Sequence, residues 1–221
     1  EFLVVWASGK NRPAVTNGNQ LHTSFAISKD GEELLLTQPD ETLMDRFEPG
    51  AIPTDFSYGR QPDGTGPWKY FAAHTPGAAN TTTGYDALLA APAFSVAGGF
   101  FTTNVEVSLS TAETGAVVRY TLDGSTPSGS STAYTAPINI SASTIVQARV
   151  FQAGLLPSTI VVETYNLIGT GVANFSSNLP LLIINTAGRG ISQDSRVPAF
   201  VTAIDTHRGR AALQAPPSFQ G

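Results

Sequence analysis

Apolar and polar positions alternate along much of this chain. Leu21, Thr23, Phe25 and Ile27 are interleaved with His22, Ser24, Ala26 and Ser28. A period of two predicts a half-buried strand, because successive strand side chains point to opposite faces. Asp30-Gly31 follows at once, and Glu33 to Thr37 forms a second run. An Asp-Gly pair between two such runs predicts a hairpin, since a type I′ turn needs positive φ at both centres. Ahead of them, Phe2-Leu3-Val4-Val5-Trp6 reads as a buried strand with no turn residue before it. The chain is therefore expected to begin inside a domain. Beyond Leu43 and Met44 it turns rich in glycine and proline. Ser57-Tyr58-Gly59-Arg60 and Asp63-Gly64-Thr65-Gly66-Pro67 mark tight turns ahead of Trp68-Lys69-Tyr70-Phe71. Thr75-Pro76-Gly77-Ala78-Ala79-Asn80 and the tract from Thr81 to Gly84 read as a domain end and a linker.

The periodicity is cleaner from residue 92 to 166. Val105, Val107 and Leu109 alternate, as do Val118, Tyr120 and Leu122, then Ile138 and Ile140. Ile145 to Phe151 and Thr159 to Tyr165 supply two longer runs. Glu113-Thr114-Gly115, Asp123-Gly124-Ser125-Thr126-Pro127 and Ala153-Gly154 provide the turn chemistry between them. Short strands with turn signals every ten or so residues predict an antiparallel sandwich. The helix-like repeat from Asp86 to Ala91 is stopped by Pro92. In the tail, Leu179 to Asn185 and Val197 to Ile204 read as strands joined by the polar segment Gly188 to Arg196. The tail is too short and polar to bury a core of its own. It either packs onto the second unit or opens a third domain. The expected partition is 1–80, a linker at 81–91, 92–166, and a lead-in at 167–221.

Composition narrows the function classes. Charged residues are 13% of the 221 positions, about half the roughly 25% of an average domain. Serine and threonine together number 44, as befits strand-and-turn proteins. Twelve Lys+Arg against 17 Asp+Glu, a net charge of −5, leave no electrostatic footprint for nucleic acid. The four arginines of residues 166–221 face only two aspartates, so the tail is locally basic. Without cysteine there is no disulfide scaffold, thiolate zinc site or thiol nucleophile. Apolar runs such as Leu179 to Ile184 fall far short of the ~20 residues of a membrane-crossing helix.

Candidate chemistry is sparse. His22, His74 and His207 have no ligand spacing and read as isolated surface histidines. No G-x-S-x-G elbow singles out a serine. Gly64-Thr65-Gly66, Gly98-Gly99 and Gly188-Arg189-Gly190 read as turns, since no helix follows them to cradle a phosphate. Calcium held by loop carbonyls with Asp63 or Asp123 has no supporting motif. N-x-[ST] triplets at Asn80, Asn139 and Asn174 are expected by chance in so serine- and threonine-rich a chain, and matter only in a protein secreted by a eukaryote. The best binding candidate is aromatic. Tyr58, Trp68, Tyr70 and Phe71 cluster where turns are dense. Either they stack on sugar rings or anchor a protein partner, or Trp68 and Phe71 plug the sandwich with Tyr58 at a corner. No catalytic, cofactor-binding or metal-ligating residue is assigned, and no cofactor is expected.

Several motifs resemble known families. Phe2 to Arg12, Leu21-His22-Thr23-x-Phe25, the Asp30-Gly31-Glu32 turn, Ser57-Tyr58-Gly59-Arg60 and Thr75 to Asn80 resemble, in order, the bacterial lamin-tail domain. That family's Gly-Trp and Leu-Thr-Asp motifs are missing, so the likeness covers only its C-terminal part. Gly99-Phe100-Phe101, Val105-x-Val107-x-Leu109, Arg119 to Pro127, Tyr134 and Ala148-Arg149-Val150-Phe151 resemble the small sandwich at the C-terminus of chitobiases and β-hexosaminidases. Ser177-Asn178-Leu179-Pro180 onward is similar to the lead-in of a CotH-type, spore-coat kinase-like domain.

The resemblances imply an all-β chain: two immunoglobulin-like antiparallel sandwiches in tandem, the first truncated, with a short C-terminal extension. They imply non-catalytic structural or interaction modules of a large bacterial protein, extracellular or in the cell envelope. The implied partners are neighbouring domains of the same polypeptide, with envelope or carbohydrate as further contacts, and neither nucleic acid nor a membrane span. Two alternatives stay open: a carbohydrate-binding accessory module of a glycoside hydrolase, and the front end of a CotH-type kinase-like protein. Residues 1–80 alone are expected to fold poorly or self-associate, and residues 86–166 to unfold cooperatively by themselves.

Overall fold

A computed structural model describes residues 1–12, 20–28, 30–194, 196–197, 199–206 and 209–220. Their regular elements are all strands apart from one 3-10 turn at Thr170–Val172. No helix among them is long and apolar enough to cross a membrane. The chain divides into two compact units, Glu1–Leu88 with Gly154–Leu156, and Leu89–Ala153 with Pro157–Gly221.

The first unit is built from small sheets. β1 (Val5–Trp6) pairs in parallel with β2 (Leu21–His22), and antiparallel bridges join Ser8 to Ala26 and Arg12 to His22. β3 (Leu34–Thr37) pairs with β4 (Leu43–Phe47), while β5 (Ser57–Arg60), β6 (Trp68–Phe71) and β7 (Gly84–Tyr85) form an antiparallel sheet. Two expectations are corrected here. Phe2, Leu3, Val5 and Trp6, read as a buried strand, are exposed, as are Phe25 and Ile27. The Asp30-Gly31 turn is present, with Gly31 at φ 98°, but it does not pair the runs on either side of it. A Cβ at Gly31 would lie 2.3 Å from the Pro49 carbonyl oxygen, so the turn packs against residues 49–50. β3 instead takes β4 as partner through a loop in which Gln38 N–H donates to Thr42 O at 2.9 Å and Thr42 N–H to Asp40 Oδ1 at 3.1 Å.

In the second unit, β8 (Ala93–Phe94) precedes β9 (Gly99–Phe101), β10 (Val105–Val107) and β11 (Leu109–Ser110). β12 (Val117–Thr121), β13 (Thr132–Ala133), β14 (Ile138–Ile140), β15 (Thr144–Phe151) and β16 (Val161–Leu167) follow. The main sheet runs β13-β12-β15-β16-β9, and the pairs β10-β14 and β8-β11 lie outside it. The period-two reading holds in β10, β11 and β14, where Val105, Val107, Leu109, Ile138 and Ile140 are buried while Glu106 and Asn139 are exposed. Along β12 and the residue after it the reading fails, since Val118 is buried but Tyr120 is half-buried and Leu122 is exposed. β15 is buried on both faces, Val146, Ala148 and Val150 on one and Ile145 and Gln147 on the other. Like β1 with β2 in the first unit, β9 with β16 departs from the antiparallel expectation, since the two run parallel. Gly98 permits that close approach, because a Cβ there would lie 2.7 Å from the backbone N and O of Thr164.

The tail belongs to this same unit. β17 (Ser176–Ser177) pairs with β20 (Ala211–Ala212), and β18 (Leu181–Asn185) with β19 (Phe200–Ile204), which in turn pairs with β21 (Phe219–Gln220). Asn185 Nδ2 donates to Asn166 Oδ1 at 3.0 Å between two buried side chains, and Arg189 donates to the Asp123 carbonyl at 2.6 Å.

Candidate functional site

The aromatic candidates lie on strands, where register decides which of them share a face. In the β5–β6 ladder Tyr58 faces Tyr70 and Arg60 faces Trp68, and Tyr70 faces Tyr85 of β7. Tyr58, Arg60, Trp68, Tyr70 and Tyr85 therefore share one side of this sheet. Phe47 of β4 joins them, with ring centroids 4.3 Å from Trp68 and 5.8 Å from Tyr58. Tyr58 stacks on Trp68 at 5.7 Å with the planes 11° apart, and its ring lies 4.4 Å from that of Tyr70. All of these side chains are half-buried.

Phe71, three positions after Trp68, points the other way and is 1% exposed. The two readings of the cluster thus divide between the faces. Phe71 is the plug, while Trp68 sits in a ladder that keeps some ring surface open. The strand-loop arrangement also replaces the loop placement that turn density suggested.

Arg60 carries the electrostatics of this face. Its guanidinium sits 4.5 Å from the Trp68 ring centroid, a cation–π placement. It donates to Asp45 Oδ1 at 2.9 Å and to the Gly66 carbonyl at 3.2 Å. Hydrogen bonding from Arg60, and then from the Arg46 N–H, holds the Asp45 carboxyl below its ordinary range. Burial, and then the neighbouring Tyr70, push the Tyr58 phenol up. A largely apolar hollow of about 180 Å³ adjoins the face, lined by Leu34, Leu36, Phe47 and Trp68 among others.

Two motifs read as turns hold this face together, although Ser57–Arg60 is strand β5 and not a turn. Asn80 Nδ2 donates to the Arg60 carbonyl at 2.9 Å, Thr75 Oγ1 to Asn80 Oδ1 at 3.0 Å, and Gln61 Nε2 to the Asn80 carbonyl at 2.8 Å. A Cβ on Gly59 would meet Asn80 Nδ2 at 2.8 Å. The Ser57–Arg60 and Thr75–Asn80 segments, far apart in sequence, therefore form one hydrogen-bonded junction. Its participants were visible only as turn signals.

The other candidates are placed as follows. His22 shares a 2.7 Å hydrogen bond with Ser8 and stacks on Trp6. Desolvation, then the charges of Lys10 and Arg12, lower its pKa. His74 is exposed, and His207 lies outside the described residues. Both oxygens of Asp63 accept the Asn80 N–H at 3.2 Å. Asp123 accepts from Ser125 N–H at 3.0 Å and pairs with Arg189 at 3.3 Å. The Ser125 hydrogen bonds, followed by Arg189, depress its pKa. No cluster of three metal-binding side chains occurs among the described residues. Of the three N-x-[ST] asparagines, Asn139 and Asn174 are exposed, while the Asn80 amide is engaged as above.

Fold and site together define an all-β chain of sandwich type with a half-open aromatic ladder. Residues 96–163 match the family model described as the Chitobiase/beta-hexosaminidase C-terminal domain. That match spans most of the unit from β9 to β16 and covers neither residues 1–80 nor the tail. No curated protein and no solved structure matches the chain.

Proposed function

We propose that this chain supplies non-catalytic accessory modules of a larger bacterial protein, secreted or displayed on the cell surface, which space or dock a partner domain. The match of residues 96–163 to the chitobiase/β-hexosaminidase C-terminal domain carries this reading. In it, residues 92–166 are the accessory sandwich, residues 1–80 a lamin-tail-type module with 81–91 as linker, and residues 167–221 lead toward a CotH-type domain. The purified chain is then expected to leave chromogenic N-acetylglucosaminides intact. Turnover above the buffer rate, lost on heat denaturation, would overturn the reading.

A second reading, glycan binding by the first unit, is favoured by the ladder of Phe47, Tyr58, Trp68 and Tyr70. Sugars present an apolar face that packs on aromatic rings. Titration with chitin oligosaccharides or peptidoglycan fragments is expected to quench tryptophan fluorescence, and Trp68→Ala to abolish the response. An unchanged signal in the original chain sinks this reading and leaves the first intact.

A further inference from the structure

In the first unit β3 and β4 form a sheet of two strands, and among the described residues neither pairs with a third. A two-stranded ribbon is marginal by itself and needs a further strand or a covering layer. Here the covering is incomplete. Leu35, Leu36, Leu43 and Met44 are each more than half exposed. Leu35 and Leu36 are neighbours in one strand and point to opposite faces, so each face of the ribbon shows bare apolar surface.

The open backbone edge belongs to β3. Gln38 N–H donates to Thr42 O at 2.9 Å and so points toward β4. Alternation along β3 then turns the N–H and C=O of Leu35 and Thr37 outward. Among the described residues, no backbone hydrogen bond reaches these two from outside the β3–β4 pair. On the far edge Arg46, which faces Leu35 across the ladder, has its N–H taken by Asp45 Oδ1 at 2.9 Å.

Charge decides what fits this edge. Residues 32–48 carry Glu32, Glu33, Asp40, Glu41, Asp45 and Glu48 against Arg46 alone, a net charge of −5, as large as that of the whole chain. All of these carboxylates but Asp45 are exposed. Arg46 is itself neutralised, by Glu33 Oε1 at 2.5 Å and Glu48 Oε2 at 3.1 Å. A second copy docking by the same edge would set like charges against each other across the strands, which is destabilising. An anionic lipid surface would be repelled too, and a sugar has no row of backbone groups to match the edge.

We propose that the outer edge of β3 takes up an extended segment of a protein partner, apolar at alternate positions and carrying lysine or arginine at its ends. Main-chain hydrogen bonds to Leu35 and Thr37 add the segment as a third strand. Its apolar side chains cover those of β3, and its basic ends meet the acidic rim. The proposal rests on the docking role given above and supplies its surface and partner. Cleavage of N-acetylglucosaminides tests the non-catalytic reading separately, so the two fail independently.

The probe is a fluorescein-labelled peptide of alternating valine and threonine with two lysines at each end, titrated with the whole chain and read by anisotropy. One control peptide replaces the lysines by glutamates, and another keeps the lysines on a glycine–serine core. The first peptide is expected to bind saturably and to weaken with added salt, and each control to bind at least tenfold less tightly. Leu35→Lys charges an exposed edge position and removes no buried side chain. It should weaken binding at least tenfold with an unchanged melting temperature. Thr37→Pro deletes one outward N–H and leaves the bonds to β4 in place, and should weaken binding likewise. Failure of the first peptide to saturate, equal affinity for either control, or unchanged binding in Leu35→Lys overturns the proposal. So does a dimer of the chain in sedimentation that Leu35→Lys dissolves, because the occupant is then a second copy.

Discussion

Gly66 is buried at the base of the β5–β6 loop, where its N–H donates to the Pro62 carbonyl at 2.8 Å. A Cβ there would lie 2.1 Å from the Gln61 carbonyl carbon, and backbone cannot yield as a flexible side-chain tip can. Gly66→Ala is therefore expected to cost about 2 kcal/mol or more and to shift the emission of Trp68. Gly129→Ala, where a Cβ meets nothing within 4 Å, is the control for the thermal melts. In the second unit Tyr165 is fully buried, and its hydroxyl donates to the Val96 carbonyl at 2.6 Å. Burial, with a smaller contribution from Glu163, pushes its pKa up. An unfolded tyrosine ionises near pH 10, whereas folded Tyr165 keeps its proton further into alkali. Above about pH 10 the unfolded chain thus binds fewer protons, and stability falls as pH rises. Tyr165→Phe should cost about 1 kcal/mol at neutral pH for the lost hydrogen bond. Urea melts from neutral to alkaline pH should show that gap closing, because the phenylalanine variant lacks this ionisation.

Among the elements, β15 is the mechanical centre of the second unit, paired to β12 on one side and β16 on the other. Val146 is fully buried there, while Val117 in β12 is 40% exposed. Val146→Ala should cost about 2–3 kcal/mol, from lost transfer free energy plus a cavity. Val117→Ala should stay within about 0.5 kcal/mol, and chemical denaturation of the two variants makes the comparison. The strands of this unit were legible because alternation survives wherever one face is buried: Val105, Val107, Ile138 and Ile140 kept their expected faces. Partnership was not legible. The run at Leu34–Thr37 pairs with Leu43–Phe47 and not with the run before Asp30-Gly31. Turn chemistry predicts that a chain bends, whereas the backbone packed into the bend, here Pro49 against Gly31, decides what the outgoing strand meets.

For the molecule as a whole, the tail changes the account of the second unit most. Ile145, Thr164 and Asn166 share the side of the main sheet opposite Val146, and all three are buried. Asn166 is bonded to Asn185 of the tail, and a Cβ at Gly124 would touch Ile145 and Phe200 alike. A fragment of residues 89–166 is therefore expected to unfold at lower urea than residues 89–221, with a smaller m-value because it exposes less new surface on unfolding. Equal midpoints would show that the tail covers nothing of consequence. The first unit presents the reverse picture. Leu35, Leu36, Leu43 and Met44 are exposed along with Phe2, Leu3, Val5 and Trp6, an apolar surface of the kind that favours association.

Sequence alone determined the all-β class, the Asp30-Gly31 turn and the buried stripes at Val105–Leu109 and Ile138–Ile140, because strand periodicity and the glycine, proline and aspartate rules are local. It also brought Tyr58, Trp68, Tyr70 and Phe71 forward as candidates. Tertiary structure alone decided that Trp68 and Phe71 face opposite ways, that Arg60 lies over Trp68, and that Asn80 closes the junction behind them. It alone left the buried hydroxyl of Thr164 without a hydrogen-bond partner, on a residue indistinguishable in sequence from 24 other threonines. A hydroxyl counts as unsatisfied only relative to its neighbours, and those of Thr164 come from residues 98 and 145, brought beside it by pairing across the sheet.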